Sequence, residues 1–238
     1  MLKILFAVCL AATAWAGESD SQKPAEPLKV DAAHMTPGTS KFLMYHGEDE
    51  VGSMTVTWSR EGSTYVIHEH TVVPKMEIEE DIHCELDGAS FAMKSVTAKG
   101  PFAGHDVDVA IAWKGDTITG YTDFPRKSNN GKLVVDRKLD PGTFERTSLF
   151  FLVQGLPLEE GFEAPIKVYS TFDDHVRDVT YKVTGTEEVT VPAGTFETYR
   201  LELLGGEPSQ ALFVTTDSPH KLVRLVVLES PWHYKLAP

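Results

Sequence analysis

The sequence contains few cysteines. Only two of its 238 residues are cysteines, Cys9 and Cys84, and Cys9 lies in an N-terminal segment that we expect to be cleaved off. One remaining cysteine excludes an intramolecular disulfide, even in an oxidising compartment. The stability of the fold must therefore come from its apolar core, and a chain of this length is long enough to build one large β domain.

Positive charge is also scarce. The chain has 22 Lys and Arg residues against 35 Asp and Glu residues, which gives a net charge of −13 at pH 7. An acidic surface of this kind repels the phosphates of nucleic acids and anionic lipid headgroups. We therefore expect no nucleic-acid partner, and we interpret the excess of acidic residues as a source of solubility.

Long hydrophobic runs are missing beyond the N-terminus. The chain begins with one positive charge, Lys3, and an apolar run from Ile4 to Ala12, followed by the small-any-small pattern Ala14-Trp15-Ala16. This run is much shorter than the about 20 apolar residues that span a bilayer. We predict a secretory signal peptide over residues 1–16 and a mature chain that is not membrane-spanning.

The rest of the chain is patterned as strands. Residues 17–38 are rich in Pro, Ser, Glu, Asp and Lys and predict a disordered or loosely attached arm, while residues 39–238 predict a single β domain. Tight turns such as Leu86-Asp87-Gly88-Ala89 join neighbouring strands, which are therefore antiparallel. The predicted strands cover residues 41–46, 53–60, 63–72, 77–86, 89–98, 106–114, 117–123, 132–138, 165–172, 176–184, 187–191, 196–204, 210–215 and 221–229.

One helix near residues 142–154 interrupts the strands. Asp140 as N-cap and Pro141 predict its start, and Gly155 with Pro157 predicts its end. Because residues 149–153 are apolar without interruption, the helix should be buried on several sides. An antiparallel sheet of a dozen or more strands must curl. The sequence therefore predicts an all-β, antiparallel, curled open barrel wrapped around one central helix.

A hairpin motif in the C-terminal half resembles a known family. The stretch from Gly185 to Leu203, GTEEVTVPAGTFETYRLEL, is similar to the E-x-V-x-V-P-A-G-T-F hairpin of extracytoplasmic bacterial proteins grouped as domain of unknown function 3108 (DUF3108). The segment 149–161 resembles the single helix of that family, and residues 217–225 resemble its closing hairpin. The resemblance spans about Gly47 to Glu229.

Members of this family are similar in architecture to the LolA/LolB lipoprotein carriers, which are incomplete barrels with a helical lid over an apolar cavity. The resemblance implies a periplasmic protein, secreted across the inner membrane, that binds a hydrophobic small molecule or lipid. It supplies no catalytic residues, and we expect no cofactor.

Metal-capable residues are densest at His68, Glu69, His70, His83 and Cys84, on two neighbouring predicted strands. His68 and His70 share one strand face, and His83 or Cys84, but not both, could add a third zinc ligand on that face. The alternative interpretation is a pair of exposed polar histidines and a small buried cysteine. A metal site at His68, His70 and His83 would make the protein a metal-dependent hydrolase, which is our second alternative function.

Motifs for other enzyme chemistry are not found. There is no G-x-S-x-G elbow and no Gly-rich phosphate loop before the helix, and Ser218 and His220 have the spacing of a turn. Glu79-Glu80-Asp81 and Glu159-Glu160 are interpreted as solvated edges that also oppose strand aggregation. An enzyme function rests on analogy between folds alone.

Apolar side chains on or facing the helix are the candidate ligand contacts, although each fits the core of the domain equally well. These residues are Trp58, Trp113, Phe144, Phe150, Phe151 and Phe213. We therefore expect non-enzymatic binding or carriage of an apolar or amphipathic ligand, such as a lipid or acyl chain. The first alternative is an envelope assembly module whose exposed strands pair with an envelope protein.

Overall fold

The computed structural model describes residues 28–125 and 131–238. The predicted signal peptide, residues 1–16, lies outside the described residues, as does the predicted arm up to residue 27. The described end of the arm contacts the domain, because the Asp31 N–H donates to the Gly155 carbonyl at 2.7 Å and Met35 is buried in the core. A Cβ at Gly155 would lie 2.7 Å from the Asp31 carbonyl oxygen, so this approach requires a glycine.

The described residues form one sheet of 15 strands. All paired strands are antiparallel except β9 and β10, which are parallel. The strands are β1 Gly38–His46, β2 Asp49–Glu61, β3 Thr64–Val73, β4 Ile78–Asp87, β5 Met93–Phe102, β6 His105–Lys114, β7 Thr117–Asp123, β8 Leu133–Lys138, β9 Phe144–Glu145, β10 Glu163–Ser170, β11 His175–Val191, β12 Gly194–Leu204, β13 Gln210–Thr215, β14 Leu222–Val227 and β15 Trp232–Leu236.

The strand order explains why the sheet curls. From edge to edge the order is β8 to β1 in descending number, then β15 to β9 in descending number, so β1 lies beside β15 and the two edges are β8 and β9. Only six residue steps separate Lys138 at the end of β8 from Phe144 at the start of β9, a span of at most about 21 Å. The two edges must therefore lie near each other, and the sheet forms an open barrel.

Side chains connect the two edge regions, and no strand pairing between β8 and β9 is found in the described part of the chain. Trp113 on β6 contacts Tyr169 on β10, with ring centroids 6.0 Å apart. Arg137 on β8 forms an ion pair with Asp174, beside the turn between β10 and β11, at 3.1 Å. The fold class is thus the predicted one, an all-β open barrel around one helix.

The helix inside the barrel is shorter than predicted. A short α-helix, α1, covers Leu149–Leu152, between two 3₁₀ turns over Arg146–Ser148 and Val153–Gly155. Leu149, Phe151 and Leu152 are buried, and the Tyr181 hydroxyl donates to the Leu149 carbonyl at 3.0 Å. The concave face of the sheet therefore surrounds the helix, as the uninterrupted apolar run predicts.

The predicted start of the helix at Asp140 and Pro141 is wrong. Residues 144 and 145 instead form β9, which pairs with Val168 and Tyr169 of β10. The N-cap is Glu145, whose carboxylate accepts a hydrogen bond from the Thr147 N–H at 2.6 Å. The predicted end at Gly155 is confirmed.

Most predicted strands are confirmed, with four differences. The strand predicted at 89–98 is β5, which begins only at Met93. The predicted strands 176–184 and 187–191 form a single strand, β11, with a register shift between Val183 and Gly185. The short strands β9 and β15 were not predicted. β15 is essential to the sheet because it pairs with both β1 and β14 and so joins the two halves of the chain.

Candidate functional site

Four charged side chains gather inside the barrel at the beginning of the helix. We name Glu69, Glu80, Glu145 and Arg146 the inner charged cluster. Glu69 shares the inner face of β3 with the buried Tyr65, because side chains alternate along a strand. Glu80 lies on the inner face of β4 for the same reason, and Glu145 and Arg146 begin the helical segment inside the barrel.

Arg146 is the cation that interacts with all three carboxylates of this cluster. Among the described residues, no carboxylate lies within ion-pair distance of its guanidinium, which instead lies 4.4 Å from the ring centroid of Phe172. The guanidinium of Arg146 therefore attracts all three carboxylates electrostatically and forms a close ion pair with none of them in the described chain.

Burial determines the protonation of the cluster. Burial raises the pKa of Glu80 to about 7, and repulsion from Glu69 and Asp81 adds to this effect while Arg146 opposes it. Burial also raises the pKa values of Glu69 and Glu145, with Arg146 again opposing the shift. Removing a carboxylate from water penalises its charged form.

Glu145 has a structural role in this cluster. One carboxylate oxygen accepts the Thr147 N–H at 2.6 Å, and the other accepts the Thr171 hydroxyl at 3.1 Å. Both oxygens of this fully buried group are therefore satisfied within the protein, as buried polar groups usually are.

Glu80 differs from Glu145 because it lacks such partners. Its side chain is only 6% exposed, and its enclosed Oε1 accepts no hydrogen bond from the described residues. Leaving a buried acceptor without a partner costs about 1 to 3 kcal/mol. Glu69 and Tyr234 are half-buried nearby, and burial followed by the charge of Glu69 raises the pKa of Tyr234 to about 12. The cluster thus has unused hydrogen-bonding capacity.

Aromatic side chains occupy the other end of the helix. We name Trp58, Tyr65, Phe91 and Phe151 the inner aromatic cluster. The Phe151 ring centroid lies 6.0 Å from that of Trp58 and 5.5 Å from that of Tyr65, which stacks on Phe91 at 5.7 Å. The Trp58 indole N–H donates to the Thr36 carbonyl. Trp58 is half-buried, so an apolar molecule can contact this cluster from its side.

Only two of the six predicted ligand contacts meet each other. Trp58 and Phe151 join in the inner aromatic cluster, whereas Trp113 lies beside Tyr169 on β10. Phe144 and Phe150 are half-buried against the core. None of these placements tests ligand binding, which stays a prediction.

The placement of Phe213 on the helix side is wrong. In the β12–β13 register, Leu212 faces Leu201 on the buried inner side, so the neighbouring Phe213 points to the outer side. There it lies directly opposite Arg200 and Arg224. The alternation of buried residues is lost along β13, because this strand is covered on both faces.

The predicted histidine group lies on the outer face of the barrel. His68 Nε2 and His70 Nδ1 both bond to Oδ1 of Asp81, at 2.8 and 3.0 Å, and His83 stacks on His68 at 4.1 Å. The hydrogen bond from His68 is the main cause that lowers the pKa of Asp81. Cys84 is fully buried on the opposite face.

Within residues 28–125 and 131–238, no group of three or more His, Cys, Asp and Glu side chains is arranged to hold a metal ion. Metal binding at His68, His70 and His83 has not been tested and stays a prediction.

The most important residue that sequence reasoning missed is Glu80. The run Glu79-Glu80-Asp81 was expected to be a solvated edge, but Glu80 is buried, Asp81 is half-buried and only Glu79 is exposed. The position of Glu80 between Ile78 and Ile82 on one face of the strand was the sequence signal that could have indicated its burial. No comparable signal marked Glu145 or Arg146.

Comparison with known proteins places the chain in a family. The sequence profile of a family described as "Protein of unknown function (DUF3108)" matches residues 41–231. The chain belongs to this family. The resemblance of the Gly185–Leu203 motif to DUF3108 is thereby confirmed.

Other comparisons add little about function. No curated protein matches the chain. A solved structure that is similar to this DUF3108 chain is a crystal structure of a beta-barrel-like protein of domain of unknown function DUF1849 from Brucella abortus. It has 9% sequence identity and a TM-score of 0.46, and the match covers 89% of this chain and 98% of that chain. No helix among the described residues is long and apolar enough to cross a membrane.

Proposed function

We propose that this DUF3108 protein is a non-enzymatic carrier that holds an amphipathic molecule, such as a lipid or acylated molecule, inside the open barrel. The polar group of the ligand contacts the inner charged cluster, and its apolar part contacts the inner aromatic cluster. The main support for this proposal is that the buried Oε1 of Glu80 has no hydrogen-bond partner in the described chain.

The two clusters have a spacing that suits one ligand. On β3, Glu69 and Tyr65 are four residues apart, which corresponds to about 13 Å along a strand. In the helical segment, Arg146 and Phe151 are five residues apart, which corresponds to about 8 Å. The length of a molecule with a polar head and a short apolar body matches this spacing.

The chemistry of the two ends favours an amphipathic ligand over other classes. A purely apolar ligand would leave the Glu80 carboxyl without a partner and would keep the cost of its burial. A purely polar ligand would gain nothing from the half-buried Trp58. The export of the protein to the periplasm is part of the same proposal and is supported by the predicted signal peptide over residues 1–16.

Native mass spectrometry tests the proposal. The chain is expressed with its own N-terminus, isolated from the periplasm without detergent, and measured before and after solvent extraction. We expect a reproducible lipid-sized adduct that extraction removes and that Trp58→Ala reduces. The matched control Tyr121→Ala removes a half-buried aromatic ring from the outer face of β7 and should keep the adduct. A bare polypeptide mass that persists after incubation with envelope lipids would contradict carriage.

One observation favours a second candidate function, the pairing of an exposed strand with an envelope protein. β8 is an edge of the sheet, and its Val134 is 76% exposed. Exposed apolar edge strands are templates for strand addition. Val134→Lys should then abolish cross-linking to the partner in cells without changing the fold. Unchanged cross-linking in this variant would contradict pairing at β8.

A further inference from the structure

A row of side chains crosses the outer face of the barrel over β12, β13, β14 and β15. Arg200 is directly opposite Phe213, Phe213 is opposite Arg224, and Arg224 is opposite Lys235. Directly opposite residues of an antiparallel pair point to the same side of the sheet, with Cβ atoms about 5 Å apart. We name these four residues the outer basic row.

The cations of this row are not equally neutralised. Arg200 forms an ion pair with Glu202 at 2.9 Å. No carboxylate among the described residues lies within ion-pair distance of Arg224 or Lys235. Two neighbouring positive charges are thus left together on a protein whose net charge is −13.

Aromatic rings hold these two cations in place. The Arg224 guanidinium lies 5.2 Å from the ring centroid of Phe213, and Lys235 Nζ lies 4.6 Å from that of Tyr45. Phe213 is only 3% exposed, with Arg200 on its other side at 5.8 Å. The Arg224 Nε is enclosed by the protein and has no acceptor among the described residues.

Such an arrangement is unfavourable without a counter-ion. Like charges that are directly opposite each other in a sheet destabilise it. A buried N–H group without an acceptor adds a further cost. An anion bound by both Arg224 and Lys235 would relieve the repulsion between them, because its oxygens can accept from the terminal N–H groups of the guanidinium and from the ammonium group together.

We propose that Arg224 and Lys235 form a binding site for a phosphate group on the outer face of the barrel. The planar guanidinium binds two phosphate oxygens, and the lysine binds a third. The site lies on the opposite face of the sheet from the inner charged cluster, so it is independent of the proposed carrier function. The phosphate belongs either to a free phosphate ester or to a lipid headgroup.

Isothermal titration of the full chain with inorganic phosphate, against chloride at equal ionic strength, tests this site. We expect saturable binding that Arg224→Gln and Lys235→Gln each weaken about tenfold or more, since each removes a charge-assisted hydrogen bond. The control Lys94→Gln removes the same charge from β5, far from the row in strand order, and should keep the affinity within about twofold.

An NMR measurement on the unmodified protein tests the same site without relying on the folding of a variant. In the unmodified protein, phosphate should shift the ¹⁵N resonance of the Arg224 Nε and leave that of Arg60 unchanged. Absence of saturable binding, or equal weakening by Lys94→Gln, would overturn the site. Flotation with phosphatidylglycerol vesicles that free phosphate reverses would assign the phosphate to a lipid headgroup. Phosphate binding without flotation would assign it to a free phosphate ester.

Discussion

The two ends of the helix inside the barrel differ in how fully their side chains are satisfied. At the inner aromatic cluster, Tyr65, Phe91 and Phe151 are buried against one another, and the Trp58 N–H has an acceptor. At the inner charged cluster, Glu80 is buried and its Oε1 has no hydrogen-bond partner among the described residues. A complete set of contacts stabilises the fold, whereas an incomplete set is what a binding site needs, so function is expected at the charged end.

Removing a ring from the aromatic end should have the largest effect on stability. Phe151→Ala deletes a buried side chain that contacts both Trp58 and Tyr65, and it should lower the free energy of unfolding by about 3 to 5 kcal/mol. Urea denaturation measures this change. Phe150→Ala, at the half-buried neighbouring position, should cost less than about half as much. Equal losses would mean that the two faces of the helix are packed alike.

Glu80 at the charged end should make the free energy of unfolding depend on pH. The pKa of Glu80 rises from 4.5 to about 7 on folding, so the folded state binds this proton more tightly than the unfolded state. Its contribution to stability is therefore largest below pH 4.5 and falls as the pH rises to about 7, by about 3 kcal/mol in total. In ligand-free protein, Glu80→Gln should flatten this part of the stability profile.

The neighbouring Glu79 provides the control for this measurement. Glu79→Gln changes an exposed carboxylate one residue away and should leave the pH profile of urea denaturation unchanged within about 0.5 kcal/mol. Identical profiles for Glu80→Gln and the unmodified protein would refute the assignment of the titration to Glu80.

Within the charged end, Glu145 should behave as a structural residue. Glu145→Ala removes the helix N-cap and leaves the Thr147 N–H and the Thr171 hydroxyl without their acceptor, at a cost of about 2 kcal/mol. Thermal unfolding measures the loss. If stability stayed unchanged, the contrast between a satisfied Glu145 and an unsatisfied Glu80 would not hold.

The smallest effect is expected from the hydrogen bond at the aromatic end. Trp58→Phe keeps an aromatic ring beside Phe151 but removes the N–H that donates to the Thr36 carbonyl, which should cost about 1 kcal/mol. Hydrogen exchange of the Met35 and Thr36 amides should become faster, because this bond attaches the segment before β1. Unchanged exchange would show that other contacts hold the segment.

Much of the fold was predictable because alternation along strands and the turn glycines are local signals. The start of the helix was not, since its N-cap is Glu145 and not Asp140, and this choice depends on the pairing of β9 with β10. β15 was missed because its place between β1 and β14 is a long-range property that no local pattern displays.

The site was less predictable than the fold. Trp58 and Phe151 were among the candidate contacts, since large apolar side chains next to an apolar helix are easily recognised. Glu80 was interpreted as part of a solvated acidic run, although it shares a strand face with Ile78 and Ile82. A charged residue on an apolar face is an exception to the pattern, and such exceptions mark functional sites.

Ligand binding at the inner charged cluster is best tested by titrating the Glu80 carboxyl, followed by ¹³C NMR in the protein as purified and after solvent extraction. We expect a pKa near 7 in the extracted protein. In the loaded protein we expect a clearly lower pKa, because a hydrogen-bond donor or cation of the ligand then stabilises the carboxylate. Two identical titration curves, in samples that differ in bound ligand by mass spectrometry, would contradict the placement of the ligand's polar group at the inner charged cluster.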